Sequence, residues 1–373
     1  MKLNHILPIL CLTGLFSSHL SLASDDVLSE RESIEIAKEF ARLQQLDKAL
    51  IWYKVAAENG NVRALFIVGM AEIRGIGVQK NPTSGIKKIS SAAKKGLDVA
   101  QFSLGYLYQK GKLGPVDYDK ARQWYLAAAK QQLAIAEVAL GSLYAKGWGV
   151  EKDFDQAEKW FRHAYAKGHM VGGYNLAILM FKRGQSQGDL LRAINIFQRT
   201  AESGHTPSQL ALSKIYLQGK KPDLLPSSEK AIFWLQKAAG QGSSQAQLSI
   251  GRLYLKGELL PTNAELAFYW LNKSARQGLV KAQLGLAAAM IKGDVLPKNL
   301  PEAYVWLSVA SASGHAKANE FKERLAKALT HEHIWESDLK ARKIMIDISN
   351  HSIKEKKEPL DQPLGAEYQG ISI

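Results

Sequence analysis

A period constrains this chain more than any other feature of it. Trp52, Lys88, Trp124, Trp160, Ile196, Trp234, Trp270 and Trp306 follow one another at intervals of 36, 36, 36, 36, 38, 36 and 36 residues. A unit of that size cannot bury its own apolar face, so neighbouring copies must stack into one continuous core, a solenoid that exposes a long surface.

The register is carried by more than tryptophan. Eight residues after each anchor stand Gly60, Gly96, Gln132, Gly168, Gly204, Gly242, Gly278 and Gly314; glycine at such a recurring place predicts a helix that stops in a left-handed turn. Seven residues before each anchor stand Gln45, Asn81, Asp117, Asp153, Asp189, Ser227, Asn263 and Asn299, all but the first able to accept from exposed helix N–H groups. Pro82 after Asn81 suits a first helical position. Between start and stop the pattern predicts one helix of about fourteen residues with a buried stripe, as in Ala157, Trp160, Phe161, Ala164 and Tyr165. A second helix follows, exemplified by residues 100–108, where small Ala100 and Gly105 let its partner approach. It ends at a further glycine such as Gly111, Gly147 or Gly257. The unit is an antiparallel helix pair, and the fold class expected is all-α, an α-solenoid of stacked helix pairs.

The pattern Ala121-x-x-Trp124-Tyr125-x-x-Ala128-Ala129, then Ala136, Gly141, Tyr144, Gly147, Gly149, Val150 and Asp153, resembles the Sel1-like repeat family, relatives of the tetratricopeptide repeat. Seven or eight copies of period 36 run over about 45–330. Lys88 and Ile196 stand where tryptophan is usual, and Met180 where tyrosine is usual, so those copies are expected to pack less tightly. The resemblance implies a right-handed superhelix that acts as an adaptor for other proteins. The whole chain is also similar to a Sel1-repeat protein of Legionella, which implies a virulence role in entering host cells and in vacuole trafficking, with a host protein as partner.

The ends differ from the repeats. Residues 1–23 read as a cleaved signal peptide, with Lys2 as charged start, an apolar run from Ile6 to Phe16, and small Ser21 and Ala23 before the expected cleavage. The run falls short of the roughly 20 apolar residues a membrane span needs, and no other segment reaches that length. The expectation is an exported protein, periplasmic or secreted, with no transmembrane segment. Leu10 before Cys11 argues against a lipoprotein box, and the only cysteine then departs with the leader. Residues 24–44 read as a capping helix, 331–351 as a closing helix, and 352–373, without period, as a flexible tail.

The net charge of +14 is scattered over every repeat rather than gathered in a stripe. That distribution and the leader argue against a nucleic-acid partner and favour a protein partner or an anionic surface. Gly75-Ile76-Gly77 and Gly147-Trp148-Gly149 complete no nucleotide fingerprint. His331 and His333 form a close pair without the further ligands a metal needs. His169, His205 and His315 each follow a helix-stopping glycine and are explained by the repeat. No cofactor, no metal and no catalytic residue are expected, and the chain is read as a non-enzyme.

The candidate partner-binding residues are Phe233 and Tyr269, one repeat apart just before their tryptophans, with Lys237, Lys273, Arg276 and, further back, Arg199 on the polar positions of the first helices. Two readings stand side by side: the aromatics pack against neighbouring first helices, or they form a ledge edged by cations that suits a partner with an apolar anchor and an acidic rim. An alternative function of another class is an envelope-resident periplasmic adaptor that organises cell-wall or membrane components.

Overall fold

The computed structural model describes residues 29–184, 186–219, 224–355 and 362–364. The expected leader lies outside them, as do residues 356–361 and 365–373 of the expected tail. Among the described residues the backbone forms 18 helices and no strand, which makes the chain an all-α solenoid.

A leading helix α1 (Glu30–Arg42) is followed by helix pairs: α2 (Leu46–Glu58) and α3 (Val62–Arg74), α4 (Pro82–Lys94) and α5 (Asp98–Gln109), α6 (Tyr118–Lys130) and α7 (Ala134–Lys146). Then come α8 (Phe154–Ala166) and α9 (Met170–Arg183), α10 (Gln187–Glu202) and α11 (Thr206–Gln218), α12 (Ser228–Gly240) and α13 (Ser244–Lys256). The last are α14 (Ala264–Arg276) and α15 (Val280–Lys292), α16 (Leu300–Ala312) and α17 (Ala316–Ala326), and a long closing helix α18 (His331–Glu355). The chain divides into two compact units, Met1–Lys88 and Ile89–Ile373, with the boundary inside α4.

The start residues do what their chemistry allows. Asn81, Asp117, Asp153, Ser227, Asn263 and Asn299 each accept from an N–H in the first turn of the following helix, and Gln45 makes no such bond. Asp189 departs from expectation. Helix α10 begins earlier, capped by Ser186, whose hydroxyl accepts from the Asp189 N–H and bonds the Asp189 carboxylate at 2.8 Å. A serine three residues before an acid builds the cap one turn ahead of the periodic position. At the stops, the glycines take φ values of 79° to 99°, and Gln132, where the repeat has no glycine, is driven into the same region at 66°.

Burial corrects one reading of the anchor. In most first helices the large side chain closed off from solvent is the one after the anchor, such as Tyr125, Phe161, Phe197 and Leu271, whereas Trp52, Trp124, Trp160 and Trp270 are only half-buried. Trp160 leans on the cluster built from α5, α6 and α7, the preceding repeat, so it seals a joint rather than filling a helix pair. Trp306 alone among these anchors is fully enclosed, because a later helix covers it.

The copies that lack tryptophan are not loosely packed. In the first unit Lys88 donates to both carboxylate oxygens of Glu72, at 2.9 and 3.0 Å, and to Ser84 Oγ at 2.8 Å. Glu72 stands where other copies have Tyr108, Tyr144 and Tyr254, so an ion pair occupies the two positions that elsewhere hold an aromatic pair. In the second unit Met180 and Ile196 occupy the corresponding positions and both pack on the cluster around Phe161.

A buried amide ladder runs through the second unit at the same period. Gln101, Gln209, Gln247 and Gln283 each donate to the carbonyl eight residues earlier, at Ala93, Ala201, Ala239 and Ala275. Those carbonyls end the first helices and have no partner within them. The next repeat then reaches back: Gln131 donates to Gln101 at 2.9 Å, Gln277 to Gln247 at 2.8 Å, and Lys167 to Glu137, which replaces the glutamine, at 2.7 Å.

Candidate protein-binding face

Two neighbouring first helices of the second unit, α12 and α14, present the candidate site. The stripe that buries Ala231, Leu235 and Ala238 on α12, and Ala267, Leu271 and Ala275 on α14, turns the positions before the anchors outward. Phe233 is 49% exposed and Tyr269 50%. Each ring leans edge-on against the tryptophan of its own helix: Phe233 on Trp234 with centroids 5.0 Å apart at 79°, Tyr269 on Trp270 with centroids 4.9 Å apart at 77°. That geometry suits the aromatic quadrupole and fixes each ring without hiding it. The aromatics are half in solvent.

The cations expected at their edge are there. Lys237 Nζ lies 5.6 Å from the Phe233 centroid, and Lys273 Nζ 5.5 Å from that of Tyr269 and 5.7 Å from that of Trp270. Lys273 also donates to the Tyr269 hydroxyl at 3.4 Å. Arg276 is exposed in the last turn of α14, one turn beyond Lys273. Arg199 is exposed on α10, and no hydrogen bond or ring contact joins it to the ledge among the described residues. The sequence also hides how apolar α14 is on its outer side: Leu266 and Phe268 are exposed beside Tyr269.

The face ends under α18. Val305 on α16 is the repeat equivalent of Phe233 and Tyr269, yet it is buried, because α18 packs along α16 and reaches α14. Ala341 and Ile344 enter the cluster of Val305, Trp306 and Val309, and Ser337 Oγ donates to the Pro301 carbonyl at 3.2 Å. The closing helix therefore lies on a first helix. It also runs to Glu355, past the expected end at 351, since no glycine or proline interrupts it there.

The histidines serve the backbone. His169 Nδ1 accepts from the Gly172 N–H and His315 Nδ1 from the Ala318 N–H, capping α9 and α17, while His205 Nδ1 bonds Ser208 Oγ. Burial pushes His169 below the ordinary histidine value. His331 and His333 are exposed in the first turn of α18. Among the described residues no group of three His, Cys, Asp or Glu side chains is placed to hold a metal, and no helix is long and apolar enough to cross a membrane.

Comparison with known proteins gives a consistent outcome. The profile of the Sel1 repeat family matches eight stretches, residues 42–61, 62–97, 98–133, 134–169, 174–205, 206–243, 244–279 and 280–315. A crystal structure of a protective antigen present in uropathogenic Escherichia coli strains, displaying the same repeat fold, is 25% identical with a TM-score of 0.59, covering 88% of this chain and 72% of that one. A Sel1 repeat protein from Oxalobacter formigenes is 28% identical with a TM-score of 0.60, covering 79% of this chain and 87% of that one. No curated protein matches the chain, and the likeness to the Legionella protein has no such match behind it. Sel1 repeats mediate protein–protein interaction, and proteins built from them are generally non-enzymatic scaffolds.

Proposed function

Because the chain belongs to the Sel1 repeat family, we propose that it is an exported scaffold that binds a partner protein through the ledge on α12 and α14. The observation that carries the reading is the pair of half-exposed rings, Phe233 and Tyr269, each steadied by its own tryptophan and overhung by a lysine. Pre-positioned aromatics lose little conformational freedom on binding and supply much of the energy of typical interfaces. The partner has an apolar anchor and an acidic rim. By the likeness to the Legionella protein it is a host protein met while bacteria enter host cells or direct vacuole trafficking. Export rests on the leader-like residues 1–23.

Affinity capture with the full chain tests the site. Phe233→Ala with Tyr269→Ala abolishes capture of the host protein while the circular dichroism spectrum and melting stay near wild type. Capture with unaltered affinity by that variant refutes the ledge. Fractionation of the producing bacterium tests the destination: protein at the cell surface or in the medium fits the host partner, and protein confined to the periplasm favours the envelope adaptor instead.

A further inference from the structure

The closing helix shows what a first helix of this chain accepts on its outer side. α18 lays Ser337, Ala341, Ile344 and Ile348 against the solenoid, the i, i+4, i+7, i+11 line of one helical face. It starts over the first turn of α16, where Ser337 Oγ donates to the Pro301 carbonyl and the Lys340 ammonium to the Glu302 carboxylate. Further along it passes the turn after α14, where a methyl of Ile348 lies 3.2 Å from the place a Cβ on Gly278 would take. On α16, Tyr304, Val305, Trp306 and Val309 are all buried. Burial and the Asp338 carboxylate of α18 raise the pKa of the Tyr304 phenol.

One repeat earlier the same positions are open. Counting back by the period, Phe268, Tyr269, Trp270 and Lys273 on α14 correspond to Tyr304, Val305, Trp306 and Val309, and Leu266 corresponds to Glu302. Phe268 is 39% exposed where Tyr304 is 4%. Leu266 and Tyr269 are exposed as well, and Trp270 is half-buried where Trp306 is enclosed. This open face is continuous with the covered one, since α18 itself reaches α14. Two differences say how an occupant must depart from α18. An aliphatic side chain stands in the place of Glu302, and a cation stands in the place of Val309, with Lys237 at the same position one repeat earlier still.

We propose that the ledge binds an amphipathic α-helix of the partner protein, laid on α14 and α12 as α18 lies on α16 and α14, with an apolar residue over Leu266 and a carboxylate facing Lys273 or Lys237. The inference rests on the ledge being the partner's site and adds the conformation and register of what it holds. A helix in a groove draws its affinity from anchors spaced one turn apart. Leu266, Phe268 and Tyr269 offer the apolar surface for such anchors, and closure over Trp270 reproduces the burial of Trp306.

The test uses the full chain and a fluorescein-labelled peptide of residues 331–350, followed by anisotropy. Lys340→Leu within the peptide matches Leu266 and is expected to tighten binding to the wild-type chain several-fold. The Leu266→Glu chain is expected to reverse that order and prefer the peptide that keeps Lys340, because it restores the acid found at Glu302. Gln245→Glu, exposed on α13, changes the net charge equally and is expected to leave the order as in wild type. Reversal in both chains would mean that overall charge does the binding, and reversal in neither would mean that the peptide is not seated on α14; each overturns the proposal. Ala341→Pro within the peptide breaks its helix and is expected to abolish binding, and undiminished binding by the proline peptide would show an extended ligand and overturn the proposal too. Absence of peptide binding while Phe233→Ala with Tyr269→Ala still loses host-protein capture would refute the helix and leave the ledge standing. The expected reversal together with intact capture in that variant would keep the helix site and discard the host protein as its occupant.

Discussion

The ion pair that replaces an aromatic pair in the first unit gives a quantitative test of how the repeat tolerates exceptions. The Glu72 side chain is 11% exposed and that of Lys88 30%. Stripping one partner from a fully buried pair costs about 3–5 kcal/mol, and from an exposed pair about 0–1 kcal/mol. Glu72 sits near the first limit and Lys88 between the two, so Lys88→Met is expected to cost about 2 kcal/mol, chiefly by leaving the Glu72 carboxylate without its cation. That cost corresponds to roughly a 30-fold rise in the local opening constant. Native-state hydrogen exchange on the amides of α3 and α4 reads it directly, without interference from the other repeats. Lys88→Trp alone is expected to be at least as damaging, because the acid remains. Glu72→Tyr with Lys88→Trp rebuilds the pair found at Tyr108 and Trp124, and is expected to return stability to within about 1 kcal/mol of wild type. The reasoning fails if Lys88→Met changes the opening free energy by less than about 0.5 kcal/mol, or if the double substitution is no better than Lys88→Trp alone.

Phe161→Ala is expected to cost about 3–5 kcal/mol and the half-buried Trp160→Ala about 2 kcal/mol; urea melts that rank them the other way would reinstate the anchor as the core residue. Gln132→Gly relieves a left-handed backbone and is expected to stabilise the chain by about 1 kcal/mol, measured as a higher urea midpoint at unchanged slope, since the gain from φ outweighs the entropy glycine adds to the unfolded chain. His169 accepts its capping bond only when neutral, and its folded pKa lies below the ordinary 6.5. The unfolded chain therefore binds the proton first, so this cap's contribution is complete above about pH 6.5 and is lost as pH falls towards the folded value. Melting curves between pH 7.5 and 5 are expected to show a smaller acid loss in His169→Asn than in wild type, and parallel losses would remove His169 from the account.

What was legible in the sequence is what a period can carry. Glycine at a stop and asparagine or aspartate at a start act through the backbone of their own helix, so their positions predict structure without knowledge of any neighbour. The same logic located Phe233 and Tyr269 on an outward face, because the stripe that buries Leu235 and Leu271 fixes where the opposite side points. It could not say whether a later helix covers that side. Val305 has the same place in its repeat as Tyr269 and is buried, owing to a helix that starts 26 residues downstream, at His331. The amide ladder was open to the same counting, since Gln101, Glu137, Gln209, Gln247 and Gln283 all stand thirteen residues after their anchors. It went unread because glutamine on a helix is ordinarily a solvated residue, and only the paired end carbonyl and the amide or ammonium of the next repeat turn it into a joint. The exceptions obey the same rule: Lys88 looks like a lost tryptophan until Glu72, sixteen residues earlier, is seen to have changed with it. In a solenoid the unit of meaning is thus the joint between copies. A residue that breaks the repeat is understood from its contact in the neighbouring helix, which a single copy read alone does not contain.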